Sequence, residues 1–454
     1  MVKLNDHTRE EYMNNILDIL ENKAIEQFRN AFLELHPADQ VDLFSRLDEE
    51  KRARVYEYLS PEEFAAIFEG LEVEDQKEIA LELDKEYAAE MFNNMYADDV
   101  ADFLGELQEE KVSAILKAMD KEDAQDVKEL MAYEEGTAGA IMTKEFISIK
   151  AADTVADVIE LLRREGPEAE TVYYLYVTDE YNKLAGVVSL RDLIIAATDE
   201  PIINIISTRV VSVHENTDQE EVANLIQKYD FLAAPVVTST NELVGIVTVD
   251  DVIDVIEEEA TEDLGEFSAS RGATDVNVTA FEAAKKRSPW IILLMFFGMI
   301  TAGVIGQFEE TLEAIVILSA FIPLIMDSAG NTGTQSLAVV VRGLATGSLE
   351  KKGLFKILRR ELGTGMMIGL ACAIVLMGLI PILYDGNILL AFIVGTSIFL
   401  SLTISTVIGA TVPLIINKLK LDPAIASGPF ITTVNDILGL LIYFSIATSL
   451  LQYL

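Results

Sequence analysis

Three patterns of apolar residues divide the chain. Up to about residue 135 apolar positions recur three and four apart, as in Val41-Leu43-Phe44-Leu47 and Phe64-Ile67-Phe68-Leu71. That spacing gives one apolar face on a helix. The runs follow polar starts such as His36-Pro37-Ala38-Asp39, Ser60-Pro61-Glu62-Glu63 and Ala97-Asp98-Asp99. A capping residue with acids in the first turn predicts a helix start. The recurrence predicts short helix pairs in a small superhelical array. Between about 140 and 258 the runs shorten and repeat. Leu184-Ala185-Gly186-Val187-Val188-Ser189-Leu190-Arg191-Asp192-Leu193-Ile194 returns 59 residues later as Leu243-Val244-Gly245-Ile246-Val247-Thr248-Val249-Asp250-Asp251-Val252-Ile253, and Ile147-Ser148-Ile149 returns 64 later as Val211-Ser212-Val213. Each copy reads strand, helix, strand, turn, strand, helix. From Ser288 the apolar runs are long enough to cross a bilayer, which takes ~20 residues as a helix. Five spans are predicted: Trp290–Phe308, Leu312–Val341, Leu362–Tyr384, Ile388–Ile416 and Pro423–Leu454.

Charge follows the same division. The 454 residues carry a net charge of −41. From Ser288 onward nine acids meet eight Lys/Arg, a net of −1, so the first 287 residues hold −40. Such an excess repels nucleic acid and anionic lipid and attracts cations. The single cysteine, Cys372, excludes a disulfide framework and a Cys-based zinc site. His7, His36 and His214 are scattered and form no metal cluster. The amino terminus lacks the apolar stretch of a cleaved signal. Lys/Arg residues precede the first span and fill the loops after the second and fourth, whereas the loops after the first and third have none. This bias predicts a cytosolic amino-terminal half and an outside carboxyl terminus.

Polar residues inside the spans carry the candidate chemistry. The fifth span holds Asp436 near its middle, with Thr432, Thr433 and Asn435 beside it and Gly439 one turn on. An ionisable group at that depth costs several kcal/mol unless it meets water, a partner or an ion. It reads either as an ion site in a hydrated path or as a protonated acid bonded to another helix. The second span contains Asp327, Gly330, Asn331, Gly333 and Gln335, and is expected to break there, since polar backbone at membrane depth survives only where it is buried or wet. Between the repeat and the first span, Asp250, Asp251, Asp254, Glu257, Glu258, Glu259, Glu262 and Asp263 crowd one predicted helix with no lysine among them up to Ser270. Like charges at helical spacing repel, so either solvent or a counter-cation neutralises them. Gly265 is placed to bend or end that helix.

The order of helical acidic domain, tandem repeat, acidic helix and five spans resembles the MgtE family of magnesium channels and transporters. The repeat itself resembles a tandem CBS pair opened by Met142-Thr143. The stretch from Pro323 to Ser336 and the pair Asn435-Asp436 carry the likeness most specifically. It implies a multidomain fold: an all-α superhelical domain over 1–136, an α/β CBS pair over 137–256, a connecting "plug" helix over 250–272, a linker over 273–287 and a five-helix membrane domain over 288–454. It implies a Mg²⁺ channel or transporter in the cell membrane, with no enzymatic step, built as a homodimer in the lipid bilayer. The pore would lie at the twofold axis between second and fifth spans, with Asp436 as its ion site and Gly330, Gly333 and Gly439 lining it beside Asn435, Thr432, Asn331 and Asp327. Regulatory Mg²⁺ would meet Asp98, Asp102, Asp218, Glu220, Asp230, Asp251, Asp254, Glu259, Glu262, Asp263 and Asp422, with a backbone carbonyl from Gly139. A CBS pair implies an adenosine-nucleotide or ion sensor, or a dimerising scaffold. A carrier of another divalent cation such as Co²⁺, or a nucleotide-regulated solute transporter, is the competing expectation.

Overall fold

The computed structural model describes residues 9–268, 270, 279–345, 353–419 and 428–450, in two compact units, Met1–Ile256 and Glu257–Leu454. The first unit opens with ten short helices, from α1 (Arg9–Glu21) to α10 (Lys121–Leu130). Their starts follow capping chemistry: Ser60 and Glu63 form a reciprocal capping box at Pro61–Glu69, and Asp48 and Asp84 accept backbone N–H groups at the starts of Glu49–Tyr58 and Lys85–Phe92. The apolar faces meet in an aromatic-rich core containing Phe28, Phe44, Phe64, Phe68, Phe92 and Phe103.

The repeat folds as two three-stranded sheets. In the first copy β1 (Ser148–Lys150) pairs parallel with β2 (Tyr174–Thr178), and β2 pairs antiparallel with β3 (Leu184–Ser189). The second copy places β4 (Val213–His214), β5 (Ala233–Val237) and β6 (Leu243–Thr248) in the same order. The helices are α11 (Val155–Glu165), α12 (Leu190–Ile195), α13 (Gln219–Tyr229) and α14 (Val249–Phe267). The copies exchange contacts. Asn182 donates through Nδ2 to the Leu243 carbonyl at 3.1 Å, and Asn241 to the Leu184 carbonyl at 3.1 Å. Both asparagines sit at left-handed φ in matching turns. The lead-in at Thr143 bridges to Ile246 of the second copy, and Ser207 bridges to Val187 of the first. The repeated glycine makes that passage possible: a Cβ on Gly186 would lie 2.8 Å from the Ser207 carbonyl, and one on Gly245 2.8 Å from that of Thr143. The second copy and Val252 and Val255 of α14 join the core of the amino-terminal helices, while the first copy keeps a core of its own.

The connecting helix α14 runs through Gly265 to Phe267, so the glycine does not end it early. Among the described residues of the second unit five helical stretches are long and apolar enough to cross a membrane: Ala280–Gln307 (α15), Val316–Leu344, Leu354–Leu383 (α18), Ile388–Lys418 (α19) and Gly428–Ser449 (α20). A short helix α16 (Glu309–Ala314) follows α15.

The expected break at Pro323–Ser336 is corrected. Residues 316–321 form a 3-10 turn, held by the Tyr443 hydroxyl donating to the Leu318 carbonyl at 2.8 Å. An unbroken helix α17 (Ile322–Ala345) then carries all the polar residues. Pro323 sits at its first turn, where a missing N–H costs nothing. The polar side chains bond along their own helix, Thr332 to the Ser328 carbonyl at 2.7 Å and Thr334 to that of Gly330 at 3.0 Å. No backbone group therefore has to leave the helix to be satisfied.

Candidate functional site

Two constellations emerge, one in each unit. In the membrane unit Asp327, Asn331 and Gln335 are exposed at successive helical turns of α17. Asn331 Nδ2 donates to Asp327 Oδ1 at 3.1 Å. An exposed polar row on an otherwise apolar membrane helix demands water or a partner. Asp436 on α20 is half-buried, and its Oδ1 has no hydrogen-bond partner. It approaches α17 at Gly330, where an added Cβ would sit 3.5 Å from Asp436 Oδ1 and 2.6 Å from Thr432 Cγ2. The Thr334 and Thr432 hydroxyls meet at 3.3 Å. Asp436, Thr432, Asp327 and Asn331 thus gather where α17 and α20 pack together.

Asn435, Gly333 and Gly439 lie where the helices pack against one another. Asn435 is fully enclosed, with neither side-chain oxygen nor nitrogen partnered. It packs over Gly333, where an ideal Cβ would come within 1.9 Å of its Nδ2. Gly333 also receives α19, since a Cβ on Gly409 would fall 2.2 Å from the Gly333 carbonyl. Gly439 faces Ile325, Ala329 and Ser401 in ordinary contact. These positions serve close helix packing within the chain, letting α17 approach its neighbours.

In the first unit acids converge from distant parts of the sequence. Asp98 and Asp99 open α8 (Ala97–Gly105), Glu145 and Glu170 flank β1 and precede β2, and Asp251 lies in the first turn of α14. Asp98 is only 8% exposed, and its Oδ1 is buried without a partner, as is Glu170 Oε2. Burial, reinforced by Asp99 and Asp251, holds the Asp98 carboxyl well above the usual range. Burial together with Glu69 and Asp251 pushes Asp99 up to about 8, and burial with Asp250 and Asp251 pushes Glu170 up to about 7. Asp251 is also raised by burial, although Thr248 donates to it from backbone and hydroxyl. Glu145 ties the domains together by accepting the Ala97 N–H at 3.2 Å and the Thr143 hydroxyl at 2.7 Å. Ionised together, these groups repel strongly at low dielectric. Asp98 and Asp251 were legible as candidates, while Asp99, Glu145 and Glu170 were missed; they lie on separate elements and loops, and only the docking of α8 on the CBS pair collects them.

The remaining candidates do not form one site. Asp218 caps α13 and accepts the Glu220 N–H at 2.9 Å, whereas Asp230 sits at its far end in left-handed conformation. Eleven residues, ~16 Å of helix, part them. Gly139 donates its N–H to the Glu215 carbonyl at 2.8 Å beside the Asp218 turn. Asp102 is exposed on α8; Asp254, Glu259, Glu262 and Asp263 lie along α14. Asp422 falls outside the described residues. Among the described residues no three His, Cys, Asp or Glu side chains converge as one direct metal site. The candidate donors are all oxygen. That fits Mg²⁺, which keeps several waters and takes few carboxylates, better than Zn²⁺.

The comparisons agree with this division. A family model described as "Divalent cation transporter" matches residues 322–446, one for the MgtE intracellular N domain matches 35–136, and one for the CBS domain matches 138–199 and 202–258. The chain is 43% identical to the "Magnesium transporter MgtE" of Bacillus subtilis over 98% of this chain and 99% of that protein. It is 44% identical to the protein of that name from Enterococcus faecalis over 98% of each. Among solved structures, the soluble part of a magnesium transporter matches with TM-score 0.54 and 45% identity over 56% of this chain and 99% of that one. The cytosolic domain of the Mg²⁺ channel MgtE in complex with ATP matches with TM-score 0.51 and 37% identity over 54% of this chain and 99% of that one. With its helical domain, CBS pair and five membrane-length helices in the same order, the chain belongs to the MgtE family.

Proposed function

We propose that the protein admits Mg²⁺ through a pore at the twofold axis of a homodimer, and that rising cytosolic Mg²⁺ closes it. The observation that carries the pore reading is the exposed row Asp327–Asn331–Gln335 on α17 beside the unpartnered carboxylate oxygen of Asp436. A second copy facing this row would enclose a polar, oxygen-lined path. Two Asp436 carboxylates there would hold an ion through its waters, which suits Mg²⁺ because it dehydrates reluctantly. The names of the relatives, magnesium transporters in two bacteria, support the choice of ion.

Closure rests on the acid cluster of α8, the CBS pair and α14. Mg²⁺ bridging Asp98 and Asp99 to Glu170 and Asp251 would relieve their repulsion and draw α14 into a fixed position. Asp102, Asp218, Glu220, Asp230, Asp254, Glu259, Glu262, Asp263 and Asp422 would add weaker sites, with the Gly139 carbonyl beside Asp218. The amino-terminal half faces the cytosol and the carboxyl terminus lies outside. The solved relative holding ATP supports an adenine nucleotide at the CBS pair as a second input. Purified protein in liposomes, assayed for Mg²⁺ flux with and without Mg²⁺ on the cytosolic side, tests both halves. Flux is expected in wild type, none in Asp436→Ala, and inhibition by cytosolic Mg²⁺; normal uptake by Asp436→Ala would remove the pore reading.

A further inference from the structure

A further acid of the membrane helices is Glu361, on α18. It is 5% exposed and lines neither constellation described above. Its Oε1 accepts from Arg360 Nη2 at 2.7 Å and Nε at 3.0 Å, and its Oε2 lies 2.8 Å from the Ser336 hydroxyl of α17. That same hydroxyl is 2.8 Å from the Thr406 carbonyl of α19. One proton faces two acceptors, so Ser336 is held between them and three helices meet at one atom. The backbones are close enough to make this tie rigid: a Cβ on Gly365, one turn beyond Glu361, would lie 2.2 Å from Thr406 Oγ1.

The tie leads toward the ion path. One turn before Ser336 on the same helix, Gly333 is wedged between Gly409 of α19 and the buried amide of Asn435. Asn435 is the chain neighbour of Asp436. A slip of α17 at Ser336 would therefore move Gly333 against Asn435 and change the separation between Asp436 and the exposed row of α17. We propose that Glu361 is a positioning residue for the ion path: by holding Ser336 it fixes the register of α17 against α19 and α20. This rests on the pore reading given above. Arg360 keeps the carboxylate charge paired, so Glu361 can be buried and still bond to Ser336.

The test uses the full chain in liposomes, with flux measured per folded protein against Mg²⁺ concentration. Ser336→Ala removes only a hydroxyl, and is expected to raise the half-saturating Mg²⁺ at least threefold. Glu361→Ala should do at least as much, and the double variant no more than Glu361→Ala alone, because both substitutions break one tie. Glu361→Gln keeps an oxygen for Ser336 and should stay closer to wild type than Glu361→Ala. A group that only stabilises the fold would lower the yield of folded protein and leave half-saturation unchanged. Should Glu361→Ala fail to fold, Ser336→Ala and Glu361→Gln decide alone. The proposal is overturned if Ser336→Ala keeps wild-type half-saturation, or if the two shifts multiply in the double variant. Absent flux in wild type, or normal flux in Asp436→Ala, overturns the pore reading and this inference with it; a dead Asp436→Ala beside a normal Ser336→Ala overturns this inference alone.

Discussion

At the scale of single residues the acids of α17 and α20 differ in what surrounds them. Asp327 is exposed and already accepts a hydrogen bond from Asn331, whereas Asp436 is half-buried with one oxygen unpartnered. The partner-poor group has more to gain from an ion, since a buried unmatched acceptor bears the whole cost of its desolvation. Asp327→Asn should therefore keep a measurable share of the Mg²⁺ flux that Asp436→Ala abolishes; equal loss in a liposome assay would show that the ranking is wrong. Asp436 was legible in the sequence because an acid at mid-span is anomalous on its own. Glu361 was not, because it lies next to the basic loop and reads as an interface residue until its contact with Ser336 is known. Asp99, Glu145 and Glu170 escaped for a related reason. An acid in a strongly acidic stretch is unremarkable by sequence, and only its burial against other acids marks it.

At the scale of elements the internal repeat was the most legible feature, since the 59-residue shift aligns both the strands and their turns. The shift also aligns Gly186 with Gly245, and the structure supplies the reason the sequence could not: each sits where the lead-in of the other copy crosses the strand. Gly245→Ala would set a Cβ 2.6 Å from Met142 Sδ and 2.8 Å from the Thr143 carbonyl. Backbone cannot yield as a side-chain tip does, so the substitution should cost about 1–3 kcal/mol of stability. Gly105→Ala is the control. Nothing lies within 4 Å of its added Cβ, at the end of a helix, and it should be neutral or stabilising by up to ~1 kcal/mol. Denaturant midpoints of the two variants check the contrast, and a Gly245→Ala protein as stable as wild type would mean that the crossing is looser than drawn. The polar stretch of the second span shows where reading elements from sequence fails. Glycines, amides and hydroxyls at membrane depth suggest broken backbone, yet the Thr332 and Thr334 hydroxyls bond within their own helix and the glycines admit neighbouring helices, so α17 stays whole.

At the scale of the molecule the division of charge was visible from composition, but its consequence depends on the cluster at α8, the CBS pair and the start of α14. Moving a two-state gate from 1:99 to 99:1 takes about 5.5 kcal/mol of differential binding. A site at roughly tenfold over its Kd contributes about 1.4 kcal/mol, so several weak Mg²⁺ sites acting together suffice and closure should be cooperative. Protons compete for the same oxygens, and the direction follows from the pKa shifts. Asp99, up to about 8, and Glu170, up to about 7, lie above the ordinary carboxylate values of about 4. Their penalty on the docked state is absent below about pH 4, grows as pH rises, and is complete above about pH 8, because the docked state binds more protons across that window. The groups bearing on them are Glu69, Asp98, Asp102, Glu145, Asp250 and Asp251, all acids. In Mg²⁺-free buffer the amino-terminal half should therefore resist protease better at pH 6 than at pH 8.5. Millimolar Mg²⁺ should restore protection at pH 8.5 while adding little at pH 6. Asp99→Asn with Glu170→Gln removes two of the repelling charges, and should flatten the pH dependence and lower the Mg²⁺ needed for protection. If acids on this face served only to keep the protein in solution, protection would follow neither pH nor Mg²⁺, and the double substitution would leave both profiles where they were.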